Sequence, residues 1–177
     1  MEKWQYYGLF IDKETHDKLI DVLVDYHWIG TLNDSEKEYL DHCTLLHKSQ
    51  LDNDDTIFLN RLIKSRLDYL LENNIIRAKL MVTSVGISEK AMAFKVIILN
   101  NNEGIYDYEI CANEIPHITI CTFNGGKPVD SNNIVKWHDL DEPKDIDLSL
   151  WQVKDMEWVE NCPVPEGEDF RRIANLW

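Results

Sequence analysis

Seven Gly and five Pro among 177 residues are too few to keep the chain irregular, and a 44% hydrophobic, 10% aromatic composition buries enough apolar surface to offset ordering entropy. Nor does any stretch approach the roughly 18 to 20 consecutive apolar residues that cross a bilayer. Met1-Glu2-Lys3 lacks the basic start of a leader peptide, so the expectation is a soluble, intracellular, cytoplasmic protein with no membrane partner. The four cysteines, Cys43, Cys111, Cys121 and Cys162, form no Cys-x-x-Cys pair and have no His at zinc-ligand spacing. They read as reduced thiols, and neither a metal site nor a cofactor is implied. No Gly-x-x-x-x-Gly-Lys-Ser/Thr phosphate loop is present and no solenoid repeat recurs. The chain is therefore expected to be one domain, residues 1–177, built as two lobes.

Positive charge is also scarce. The net charge is −14, and a protein gripping long nucleic acid through many phosphates is expected to be basic. An extended nucleic-acid surface is thereby excluded, and any phosphate contacts should be few and local. The deficit is uneven. Residues 138–177 hold eleven acidic and four basic residues, a tail with no assigned role beyond a solvated surface, whereas residues 42–95 hold eight basic against six acidic. No oligomeric state follows from these features.

The remaining sequence reads as α+β. Residues 4–11 are aromatic and β-branched enough for a strand, and Asp12 or Thr15 caps a helix to about Tyr26. Residues 32–39 read as a loop or helical turn, and 42–47 as a strand. In residues 56–73, Ile57, Leu59, Leu62, Ile63, Leu67, Leu70 and Leu71 fit a helical period. Strands follow over 78–87 and 91–99, joined by a tight turn, and then over 106–112 and 117–123. Ser131 is expected to cap a short helix to Trp137, 139–147 to be a charged loop, and 150–159 to be a last strand. Runs of strands with few helices argue for antiparallel pairing, not a doubly wound parallel sheet.

Within this order one element occurs twice. His42-Cys43-Thr44 opens one apolar strand and His117-Ile118-Thr119 opens another. Residues i and i+2 of a strand share a face, so each His points the same way as its Thr. Two such strands side by side would gather two imidazoles and two hydroxyls around one small site. A neutral imidazole takes a proton from an attacking water while a protonated one gives a proton to a departing oxygen, and the hydroxyls donate to phosphate oxygens. This is phosphodiester chemistry, and it calls for no divalent ion. His47, five residues from His42, should point to the opposite face of a regular strand and is left out. Lys48 and Lys127, each following one of the two strands, are the candidate substrate-binding cations.

These paired motifs resemble the 2H phosphoesterase superfamily. The flanking words Leu40-Asp41-His42-Cys43-Thr44-Leu45-Leu46-His47-Lys48, Lys90-Ala91-Met92-Ala93-Phe94, Ile115-Pro116-His117-Ile118-Thr119-Ile120, Lys127-Pro128-Val129 and Ser131-Asn132 are similar to the cyclic phosphodiesterase domain of fungal-type tRNA ligases. The resemblance implies a two-lobed, pseudo-symmetric fold with antiparallel sheets and flanking helices. It also implies opening of a 2′,3′-cyclic phosphate at an RNA 3′ end, or on a small nucleotide, to a 2′-phosphate. His42, Thr44, His117 and Thr119 carry over as catalytic positions. An alternative with the same site is hydrolysis of a 3′-5′-linked cyclic di- or oligonucleotide second messenger, as in phage counter-defence proteins of that superfamily. A third reading is a nucleotide-binding module without turnover.

Overall fold

A computed structural model describes residues 4–52, 55–99 and 110–154. The elements run β1 (Trp4–Phe10), α1 (Lys13–Asp25), α2 (Ile29–Asn33), β2 (Lys37–Glu38), β3 (His42–His47), α3 (Ile57–Glu72), β4 (Arg77–Ile87), β5 (Ala91–Leu99), β6 (His117–Thr122) and β7 (Trp137–Lys154). Short 3-10 turns follow β3 (Lys48–Leu51) and β6 (Pro128–Asn133). All strand pairs are antiparallel, in the order β2-β6-β3-β1-β7-β4-β5. Because β5 also pairs with β6, six of the strands close on themselves. The α+β class and antiparallel pairing expected from the sequence are what the chain forms.

Local chemistry explains most boundaries. The Asp12 carboxylate accepts from the Thr15 N–H at 2.8 Å, which satisfies an orphan donor at the start of α1 and contributes about 1 kcal/mol. Leu19 and Leu23 on α1, and Ile63, Leu67 and Leu70 on α3, lie one or two turns apart and are fully buried. They pack on one face of the sheet, with Tyr7, Leu9, Cys43, Val85, Phe94, Ile118 and Leu150. Pleating sends the alternate residues to the other face. That face carries Tyr6, Gly8 and Phe10 from β1 and their cross-strand partners on β3 and β7.

Several expectations need correction. Residues 139–147 are not a loop but part of β7, which runs for 18 residues. Ile146, Leu148 and Leu150 supply a buried alternation that continues the strand through the charges. Pro143, which has no N–H to donate, falls where the β4 pairing jumps from Lys144 opposite Val82 to Asp139 opposite Ser84, so the irregular residues are absorbed in a bulge. The backbone N–H groups of Asp141 and Glu142 there donate to the Tyr26 hydroxyl at 3.1 and 3.3 Å. Ser131 lies inside the 3-10 turn and caps no helix, and Trp137 opens β7. Residues 32–39 contain the end of α2 and the two-residue β2. Most of the expected strand at 106–112 lies outside the described residues, and Ile110, Cys111 and Ala112 are not strand. Residues 155–159 of the last expected strand also lie outside them, as does Cys162.

Candidate active site

The two His-x-Thr elements sit on neighbouring strands. Cys43 of β3 is registered opposite Ile118 of β6, so the middle residue of one motif faces the middle residue of the other. An antiparallel pair centred there relates the motifs by a local twofold and sets each His across from the other motif's Thr. Cys43 and Ile118 point into the core and are fully buried, so His42, Thr44, His117 and Thr119 share the opposite face.

What brings the strands to this register lies just before His42. Leu40 is fully buried in a left-handed conformation at φ 45°, unusual for a bulky residue. Its N–H donates to Thr119 O at 2.9 Å, that of Tyr39 donates to Ile120 O at 2.8 Å, and Ile11 N–H donates to Asp41 O at 3.1 Å. The kink thus turns the chain from β2, paired with β6, into β3, paired with both β6 and β1.

Around each ring the second nitrogen is tied down. Asp41 Oδ1 lies 2.6 Å from His42 Nδ1, which places a ring proton on Nδ1 and leaves Nε2 facing Thr44 Oγ1 at 3.1 Å. The Tyr6 and Phe10 rings stack on His42 at 5.1 and 4.9 Å between centroids. Gly8 completes this seat: a Cβ there would meet Phe10 Cε1 at 3.1 Å and His42 Cδ2 at 3.4 Å. His117 Nδ1 lies 2.8 Å from the Ile115 carbonyl and so donates to it, which leaves Nε2 for chemistry. His117 is 8% exposed. Burial is the main cause that lowers its pKa below the usual 6.5; the Ile115 carbonyl partly opposes this, and the neighbouring His42 adds to it. Thr119 Oγ1 lies 2.9 Å from the hydroxyl of buried Ser131 and 3.4 Å from Pro128 O, so the 3-10 turn holds it.

Lys127 immediately precedes that turn and is exposed, close in sequence to the Thr119 contact at Pro128. Lys48 is not brought to the quartet. It starts the turn beyond β3, roughly 15 Å along the strand from His42. Three further residues at the site were given no role in it from the sequence. Asp41 and Ser131 position His42 and Thr119, and Lys95 of β5 pairs with His117 on the same face. Asp41 had a readable signal, a carboxylate adjacent to the motif His, whereas Lys95 needs the β5–β6 register. Among the described residues no three His, Cys, Asp or Glu side chains gather in an arrangement suited to a metal ion.

Residues 27–161, about three quarters of the chain and all of this quartet, match the fungal tRNA ligase phosphodiesterase domain. The chain belongs to that family. Among solved structures, a crystal structure of a fungal RNA kinase aligns with a TM-score of 0.63 at 16% identity. The alignment covers 86% of this chain and 46% of that one, so the phosphodiesterase-family chain shares a fold with about half of the kinase polypeptide. No curated protein matches significantly. Membership supports a cyclic phosphodiesterase activity in general terms. No described helix of this family member is long and apolar enough to cross a membrane.

Proposed function

We propose that this protein is a metal-independent 2′,3′-cyclic phosphodiesterase that opens the cyclic phosphate of an RNA 3′ end to a 2′-phosphate by two-histidine acid/base catalysis. The observation that carries this reading is the pairing of the His42 and His117 strands, with each ring held at Nδ1 by an acceptor so that Nε2 is the nitrogen that transfers the proton. The local twofold through Cys43 and Ile118 supports a pseudo-symmetric 2H site.

The environments divide the roles. Burial keeps His117 neutral near neutral pH, so its Nε2 takes the proton of the attacking water. Asp41 complements the positive charge of His42 while that ring holds two protons, and His42 Nε2 gives one to the departing 3′ oxygen. The water oxygen bonds to phosphorus as the bond to the 3′ oxygen breaks, and one proton enters the pair as another leaves. Thr44 and Thr119 hydroxyls donate to the non-bridging oxygens, which gains most as charge shifts in the transition state. Lys95, beside His117, and Lys127, ahead of the Thr119 turn, add positive charge.

An oligonucleotide ending in a 2′,3′-cyclic phosphate, incubated with the protein in chelator, should yield only the 2′-phosphate end. Strict dependence on added metal, or a 3′-phosphate product, would sink this mechanism.

A further inference from the structure

The face that seats His42 does not end at Tyr6. Four rings follow one another along it: Phe10 to His42 at 4.9 Å and 23° between planes, His42 to Tyr6 at 5.1 Å and 26°, and Tyr6 to His47 at 6.4 Å and 12°. On a regular strand His47 would face away from His42. The β1–β3 register instead steps from Gly8 opposite Thr44 to Tyr7 opposite Leu46, so Leu45 is an extra residue. Leu45 and Leu46 are consequently both buried, and the alternation is reset so that His47 returns to the face of His42 and Thr44.

His47 is held there in one tautomer. Its Nδ1 accepts from the Ser49 backbone N–H at 3.1 Å and lies 2.8 Å from the Ser49 hydroxyl. The proton of the neutral ring therefore sits on Nε2, which has no hydrogen-bond partner among the described residues. Burial, then the neighbouring Lys48 charge, lowers the pKa of the ring and keeps it a neutral donor. Lys48 itself is exposed and has no ion-pair partner among the described residues. A hydrogen-bond donor and a cation thus lie side by side, two ring-stacking steps from the catalytic imidazole. They also lie in the stretch of sequence where basic residues outnumber acidic ones in an otherwise acidic chain.

We infer that His47 and Lys48 form a second phosphate subsite, which holds a phosphodiester about two nucleotides from the cyclic phosphate and makes an RNA strand end a better substrate than a free cyclic nucleotide. This rests on the function proposed above. A single strand laid along the ring ladder reaches this far from the scissile phosphate within about two nucleotides, and a mononucleotide has no second phosphate to place there.

The test compares kcat/KM for a short oligoribonucleotide and for a mononucleoside, both ending in a 2′,3′-cyclic phosphate. The wild-type ratio should be about tenfold or more in favour of the oligonucleotide, and Lys48→Ala and His47→Ala should each cut that ratio about five- to tenfold. Lys48→Ala should also flatten the salt dependence for the oligonucleotide. Because His47→Ala removes a contact of the following turn, Lys48→Ala, which removes only an exposed side chain, is the decisive variant. A wild-type ratio near one, or a ratio that Lys48→Ala leaves unchanged, overturns the subsite. If neither substrate is cleaved, the proposed activity is wrong, and equilibrium binding of a 2′-phosphate-ended oligonucleotide against a nucleoside 2′-monophosphate reads the subsite by itself. An oligonucleotide advantage lost in Lys48→Ala supports it, and equal binding overturns it.

Discussion

His42 and His117 are the same residue in two surroundings, and the difference lies in the partner of Nδ1. A carboxylate faces His42 and a backbone carbonyl faces His117. Removing the carboxylate frees the His42 ring to change tautomer and leaves its second proton without a counter-charge. Asp41→Ala should therefore lower kcat by roughly 10²-fold with a much smaller change in KM, measured on a cyclic-phosphate substrate. A drop confined to KM would show that Asp41 acts on binding instead. The sequence carries one trace of this asymmetry, an Asp before His42 where a Pro precedes His117, but the two His-x-Thr words otherwise look alike until their neighbours in space are known. It was legible that each His shares a face with its own Thr, since that follows from the period of a strand, whereas the gathering of all four needs the β3–β6 pairing. The Ser131 contact with Thr119 was not legible, because it joins residues twelve apart through a turn whose shape no propensity dictates.

At the scale of elements, strands and helices with a clean period were readable to within about two residues, as β3, α3, β4 and β5 show. What was lost sits at irregularities. The extra residue at Leu45 inverts the facing of His47, and the bulge between Asp139 and Lys144 lets β7 pass through a segment whose Pro and charges read as a loop. Both bulges are set by what the neighbouring strand offers, Gly8 and Tyr7 in one case and Val82 and Ser84 in the other, so a single strand's sequence does not contain them. Gly86 shows the same dependence on partners. A Cβ there would meet the Trp137 ring at 2.4 Å and Ile134 Cγ2 at 2.6 Å, so the close packing of the β4–β7 pair explains the glycine.

For the whole molecule, the closed sheet places the chemistry on one face and the main core with its helices on the other, and several titratable groups are buried in forms that matter for stability. His117 and His47 are held neutral, with pKa values below 6.5. The unfolded chain binds protons at these positions first, so stability falls as pH drops through 6.5 towards the folded-state values. Burial also raises Cys43, Cys121 and Tyr6, Cys121 to about 11. The unfolded chain loses those protons first, so stability falls again as pH rises above about 9. Thermal unfolding followed from pH 5 to 10 should give a Tm plateau near pH 7 to 8.5 with declines on both sides, whereas a Tm rising steadily towards pH 5 would contradict the neutral burial of the two histidines.

The central claim is that His42 and His117 act as one acid/base unit, and single-turnover rates on a 2′,3′-cyclic-phosphate oligonucleotide test it most directly. His42→Ala and His117→Ala should each lower the rate by about 10³-fold or more, and the double variant should be no slower than the slower single within about threefold. Near-wild-type turnover in either single variant, or losses that multiply in the double, would contradict it.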